Sequence, residues 1–240
     1  MPHQTKAIPR TAASLATGAY DRIEALLVGC ELRPGLHLSL QHLQEMTGLG
    51  RTPIHQAVNK LAADTLIVVQ PRHGLQVAPI DLSRERVLLR LRRDMERFVV
   101  RLAAERANAS HRNEILHMVA ALRRHATPDI DGFNLLDRRI DRLMVAASGE
   151  NFLESTLRPL HTMSRRIGWI YHSRVRPDEG LGKTLECHLA VLEAVAARDA
   201  GEAERASDRL IAFCDGMFDV LGRGVDPALF DCNLDASPAD

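Results

Sequence analysis

The sequence predicts a mainly α chain in two parts: a small N-terminal unit of short helices closed by a β-hairpin, then an all-α helical bundle. Three observations predict it. Aromatics make up only 4% of the 240 residues against a hydrophobic content of 45%, and Leu and Ala abound, a balance that favours packed helices over sheets. Gly48 to Ile80 reads as a helix, a short connection and two strands joined by a tight basic tip. From Ser83 to about Leu221 helical periodicity dominates, and no convincing strand interrupts it.

In the first part, Ser39 is placed to cap a short helix whose Leu40, Leu43 and Met46 face inward, and Thr47-Gly48-Leu49-Gly50 makes the turn after it. Thr52 is a good N-cap for the next helix, with Pro53 at the first helical position, where a missing N–H costs nothing. Ile54, Ala57, Val58 and Leu61 then share one helical face, which leaves Thr52, His55, Gln56, Asn59 and Lys60 on the other. LIVV is β-branched and GLQV alternates apolar with polar, so both read as strands. Gly74 permits a tight tip, and Arg72 and His73 stand where they reach a phosphate or a minor groove.

Helix, turn, helix and hairpin in this order describe a winged helix-turn-helix, a reader of double-stranded DNA. The side chains expected to face the nucleic acid are Ser39, Gln41, Arg51, Thr52, His55 and Asn59, with Arg72, His73 and Gly74 on the wing. A capped helix with a polar face is more often a solvated surface, and it is the wing that raises the odds here.

The region from about Leu15 to Ile80 resembles the DNA-binding domain of GntR-family transcription regulators. Pro34-Gly35 matches the family's opening, Leu40 and Leu43 its second helix, and Gly48 its turn. Arg51-Thr52-Pro53-Ile54 matches the start of the recognition helix, Ala57, Val58 and Leu61 its inward positions, and Gly74 and Val77 the wing. Three positions depart from the pattern. Gly50 replaces the usual Ser, Thr65 the usual Gly after the recognition helix, and His55-Gln56 the usual Arg-Glu pair. The last pair sits where the family contacts a base or phosphate, so it bears on the operator sequence rather than on the DNA-binding role.

The formal net charge is +0, which gives no global attraction to nucleic acid, and residues 1–80 hold seven Lys/Arg, five Asp/Glu and five His. Affinity would then lean on dimerisation and base contacts. No apolar run approaches a membrane span, residues 1–14 lack a signal-peptide core and read as a flexible lead-in, and Cys30, Cys187, Cys214 and Cys232 show no paired spacing. Free thiols in a reducing cytoplasm are expected, with no membrane association.

A boundary falls at Ala78 to Leu82. The second part, residues 83–222, divides into Ser83 to about Ala109, Arg112 to His125, Asp131 to Ala147, a helix capped by Asn151 with Glu154 completing a capping box, Thr184 to Ala197 and Gly201 to about Leu221. Pro159 is placed to kink or split the fourth, and residues 223–240 read as a flexible tail. This bundle resembles the effector-binding and dimerisation domain, termed FCD, of the FadR-like branch of the GntR family. Arg92-x-x-Met95-Glu96 stands where that branch has Arg-x-x-Leu-Glu, Asp137-x-x-Ile140-Asp141 where many members have Asp-x-x-Phe-His, and Ala147-Ser148-Gly149-x-Asn151 matches its small-Gly-Asn turn.

Asp137 and Asp141, four apart, project from one helical face. In metal-binding members the resemblance places an Asp and a His there, with two further His on the last two helices. His188 fits the first of these, and the second falls on Leu210, which cannot ligate. The resemblance therefore implies at most an incomplete site for a divalent ion (Zn, Ni or Mn) on Asp137, Asp141 and His188, the alternative being acidic residues paired with Arg138, Arg142 or an interior Arg. The family's effectors are mostly small organic acids, so Arg165 or Arg166, with Arg92, are the expected carboxylate partners beside Asp137, Asp141 and His188. The reading is a ligand-responsive, homodimeric regulator, a repressor by preference. A metal-dependent all-α enzyme and a protein-interaction module with a non-reading winged helix are the competitors. Against the enzyme stand the lack of a nucleophile setting and of a phosphate loop.

Overall fold

The structure, a computed structural model, describes residues 12–124 and 129–235. Among them are nine α-helices and three short strands. Helix α1 (Ala12–Val28), strand β1 (His37–Leu38), α2 (Leu40–Thr47), α3 (Arg51–Ala63), β2 (Ile67–Gln70) and β3 (Gly74–Val77) make the winged unit. The bundle is α4 (Leu82–Arg106), α5 (Ala109–Arg124), α6 (Ile130–Ser148), α7 (Phe152–Ile170), α8 (Gly182–Ala196) and α9 (Ala200–Leu221). The mainly α prediction and the helix–turn–helix–hairpin order both match. Strand β1 is an addition: it pairs with β3 and gives an antiparallel sheet of order β1-β3-β2, with Gln70 opposite Gly74 at the wing tip.

Local chemistry explains the winged unit and corrects part of its reading. Ser39 caps α2 as expected, its Oγ accepting from the His42 N–H at 3.1 Å. Gly48, with φ +66°, ends that helix in the left-handed region. Helix α3 then begins earlier than predicted: its N-cap is the extended Gly50, and Thr52 lies inside the first turn rather than capping it. Pro53 is tolerated there because none of the first four N–H groups of a helix has an intrahelical partner. Ile54, Ala57, Val58 and Leu61 are buried with Leu27, Leu43 and Val77 in one core. Thr65 adopts φ +60°, which is why glycine is the usual residue of the family here, and its hydroxyl accepts from Arg84 Nη2 at 3.0 Å.

The rest of the chain departs from the reading at four places. Asn151 sits in helical conformation and its side chain caps nothing. Pro159 lies within α7 without splitting it. The lead-in is already helical from Ala12, its first eleven residues and His125 lying outside the described residues. The tail packs instead of hanging free: the Ile80 N–H donates to the Phe230 carbonyl at 2.8 Å, the Cys232 N–H to Pro34 at 2.9 Å, and Asn233 Nδ2 to Gly35 at 3.0 Å.

Besides Arg84 on Thr65, three attachments join the two units. The first is a clamp between α1 and the bundle. Glu24, 1% exposed, accepts from Arg158 Nη2 at 2.6 Å, from Arg138 Nη1 at 3.0 Å and from the Thr162 hydroxyl. Burial alone would push Glu24 up, but the Arg158 hydrogen bonds and charge hold it at about 2. Arg158 and Arg142 also bind Asp21. The second is the linker, where buried Arg166 donates to the Ala78 carbonyl at 2.9 Å. Beneath it, burial pushes Glu85 up to about 7 against the pull of Arg166 and Arg84. The third is the tail.

Arg158→Ala leaves the Glu24 carboxylate buried and short of donors. We expect it to cost about 3–5 kcal/mol in chemical denaturation, with Glu24→Gln added to it recovering part of the loss. Glu85 titrates higher folded than unfolded, so the native state holds the extra proton and stability falls as pH rises through the window up to about 7. Glu85→Gln is therefore expected to raise the thermal midpoint at about pH 8 and to leave it unchanged at about pH 4.

Candidate functional site

Two sites follow from this frame. The first is the outer face of α3 and the wing. Arg51, Thr52, His55, Gln56 and Asn59 are all exposed, as are Gln41 on α2 and Arg72, His73 and Gly74 at the tip. Asn59 and His55 approach at 3.4 Å, one helical turn apart. Gln41 bonds Glu45 at 2.9 Å, and the Ser39 oxygen is engaged as a cap. Arg72 adopts φ +68°, and a Cβ at Gly74 would stand 3.0 Å from the Leu38 carbonyl, so the tip is tight for a physical reason. Lys60 is committed elsewhere, 5.0 Å over the Tyr20 ring, over which Arg158 also stands at 3.9 Å. Tyr20 also donates to Asp64, the C-cap of α3, at 2.6 Å. The reading helix is thus joined through one aromatic ring to helix α7 of the bundle.

The second site is a small cavity of about 50 Å³ in the bundle, with Arg92, Asp137, Arg165, His172, His188 and Leu210 on its wall. A ligand pocket commonly measures about 300–1,000 Å³, so in this arrangement the space suits water rather than an organic acid. Asp137 is the hub. Its Oδ1 meets His188 Nε2 at 2.8 Å and its Oδ2 meets Arg165 Nη1 at 3.2 Å. The same Arg165 nitrogen is 2.5 Å from Asp141 Oδ2. Burial opposes ionisation of Asp137, but the His188 hydrogen bond and charge, with Arg165, hold its pKa far down. Asp141 moves the opposite way: burial raises it, and the neighbouring Asp137 and Glu96 add to that.

His188 Nδ1 lies 2.7 Å from the Thr184 carbonyl, which can only accept. Its Nε2 faces a carboxylate. Both nitrogens therefore carry hydrogen, and its pKa is raised despite burial. His161 sits between Glu96 at 2.6 Å and Asp141 at 3.0 Å. Arg92 donates to Glu96 at 3.1 Å, and His161 and Arg92 hold that carboxyl at about 2 against its burial.

Of the predicted interior residues, Arg92, Asp137, Arg165 and His188 do meet at one cavity, and Asp141 joins them through Arg165. Arg166 does not: it points along α7 toward the linker, because adjacent helical residues diverge by about 100°. His172 reaches the wall from a π-helical stretch, Tyr171–Val175, that follows α7, with its Nδ1 buried and unpartnered. Thr184, Phe133 and Cys214 also line the cavity and were not foreseen. Thr184 precedes His188 by one turn, a spacing that held the clue.

The donors do not fit a divalent ion as they stand. Asp137 and Asp141 spend their facing oxygens on Arg165, His188 is protonated on both nitrogens, and Leu210 occupies the remaining wall. Glu96, Asp141 and His161 each offer an atom within 4.8 Å of the others, but these atoms bond one another.

Comparison with known proteins bears on both halves of the chain. A profile described as bacterial regulatory proteins, gntR family, matches residues 15–77, and one described as FCD domain matches residues 87–213, over half of the chain. The HTH-type transcriptional repressor RspR of Escherichia coli K12 is 28% identical over 185 residues, 75% of this chain and 78% of its own length. The HTH-type transcriptional repressor GlaR of the same organism is 25% identical over 177 residues, 71% and 80% of the two chains. Among solved structures, E. coli McbR/YncC superposes with a TM-score of 0.72 at 18% identity, covering 86% of this chain and 97% of its own. A putative GntR regulator from Rhodococcus sp. RHA1 gives 0.63 at 20% identity, covering 88% and 100%. These last two bear on the fold alone. No helix among the described residues is long and apolar enough to cross a membrane. The winged unit and the helical bundle are the two halves that these profiles match, and the chain belongs to the GntR family of transcription regulators, not to a family of enzymes, with an FCD domain as its second half.

Proposed function

We propose that the protein is a homodimeric, cytoplasmic repressor whose grip on operator DNA is set by a small organic acid bound inside the bundle. The observation that carries this is the continuity of α7. Its Arg158 stacks on Tyr20 beneath the reading helix, and two turns along the same helix Arg165 lines the cavity. Repression is the role printed in the names of RspR and GlaR. An acid fits the cavity's chemistry, because Arg92 and Arg165 bring two guanidinium groups to its wall, and His172 adds an unpartnered ring nitrogen.

The cavity must widen to hold such a ligand. A carboxylate that takes Arg165 from Asp137 and Asp141 would widen it, and would move α7 against α1. To act at all the ligand must bind the two arrangements unequally. The dimer has physical support in α4, where Val87, Leu91 and Phe98 share one face and are 60%, 49% and 52% exposed. Two copies joined there would present two reading helices to half-sites about one helical turn apart.

Two measurements test this reading. In gel shifts on the intergenic DNA upstream of its own gene, Arg51→Ala is expected to weaken binding by roughly 5- to 150-fold, the equivalent of about 1–3 kcal/mol. No shift by the wild type, or an unaffected variant, would favour a winged unit that no longer reads DNA. In a thermal-shift panel of small organic acids, at least one is expected to raise the wild-type midpoint and to lose that effect in Arg92→Ala. Equal stabilisation of both proteins overturns the ligand assignment.

A further inference from the structure

The interior cluster gathers three carboxylates, Glu96, Asp137 and Asp141, from α4 and α6. Facing them are the guanidinium groups of Arg92 and Arg165 and the doubly protonated ring of His188, before His161 is counted. Every one of these groups is at least mostly buried, Asp137 to 6% and Arg165 to 7% exposure. Paired carboxylates one helical turn apart beside two imidazoles form a donor set that suits a divalent cation. Yet one nitrogen of Arg165, Nη1, contacts both members of the pair, at 3.2 and 2.5 Å. The position between the two oxygens is filled, and the local charge is already balanced. A divalent ion added there would meet three resident cations in a low-dielectric interior, where uncompensated charge is costly.

We propose that the Arg165 guanidinium is the built-in cation of this cluster, standing where a divalent ion would bridge Asp137 and Asp141, so that the natural chain takes up no metal there and a chain lacking Arg165 does. The inference rests on the cluster's own geometry and holds whatever DNA or acid the protein binds. It also gives the cavity a different physical character from a metal centre. An ion diffuses away from its donors, whereas Arg165 is covalently part of α7, so any force on this cation is a force on the helix. Substitution removes the guanidinium, frees Asp137 Oδ2 and leaves Asp141 Oδ2 with His161 as its remaining partner, and a hydrated ion can then supply the lost positive charge.

The test is metal uptake by the full chain, stripped with chelator and dialysed against Zn²⁺ or Mn²⁺, then measured by elemental analysis and by the thermal midpoint. The wild type is expected to retain no ion that Asp137→Asn abolishes. Arg165→Ala is expected to gain about one ion per chain and a raised midpoint with metal, both lost when Asp137→Asn is added. Arg165→Met keeps the side-chain volume without the charge and serves if the Ala variant does not fold. The proposal is overturned if the wild type binds an ion that Asp137→Asn removes, or if folded Arg165→Met binds none. Ions on surface histidines are identified by their indifference to Asp137→Asn. DNA and acid binding play no part in this readout, so its failure leaves the regulator reading intact.

Discussion

Glu24 is the group on which the arrangement of the two halves depends. A carboxylate with 1% exposure cannot stay ionised without donors, and all of its ionic donors come from the other half of the chain: Arg158, Arg138 and, at longer range, Arg165. The winged unit therefore cannot turn away from the bundle without leaving a bare charge in an apolar interior. Hydrophobic contact alone would be more forgiving. Met163 of α7 enters the winged core, but an apolar contact can slide, whereas a set of hydrogen bonds to one carboxylate has a preferred register.

Helix α7 gathers these functions on successive turns. Arg158 and Thr162 hold the clamp, Arg165 closes the interior cluster, and Arg166 pins the linker. The division of labour between Arg165 and Arg166 shows how the period of a helix separates neighbours in sequence. One guanidinium faces the cavity between two carboxylates; the other is buried against the Ala78 carbonyl with Cys30 and Glu85 beside it, its Nε unpartnered and its pKa pulled down by that burial. Pro159 is tolerated in this helix, so the rod is continuous from the clamp to the cavity.

Much of this was legible in the residues. The periodicities of Ile54, Ala57, Val58 and Leu61 and of the six bundle helices were readable because burial of one face is a local pattern. Arg92, Asp137, Arg165 and His188 were readable as an interior set through the family resemblance rather than through any local pattern. What escaped was what depends on convergence of distant segments. Nothing near Phe133 or Cys214 announces that their helices meet at the cavity. A two-residue strand such as His37–Leu38 has no period to detect, and exists because β3 offers it an edge. The tail was read as loose since its pattern is irregular, yet Phe230 and Asn233 are ordered by backbone groups far away in sequence. Asn151 and Thr52 failed as caps because neighbouring residues, Gly149 and Gly48, had already set where each preceding helix ends and how the chain re-enters the next.

The three attachments also have a mechanical meaning. A rigid body fastened at one point swivels, at two points turns about a single line, and at three points is fixed. Here the winged unit is fastened at Ala78 by Arg166, at Pro34 and Gly35 by the returning tail, and at Glu24 by the clamp. The first two are held mainly by backbone carbonyls and do not depend on any ligand. The clamp and the Arg166 contact both stand on α7, the helix that carries Arg165 to the cavity wall, whereas the tail contact does not. Releasing the clamp alone leaves one rotation, about the line from the linker to the tail contact, and that line fixes in advance the arc along which the reading helix can swing.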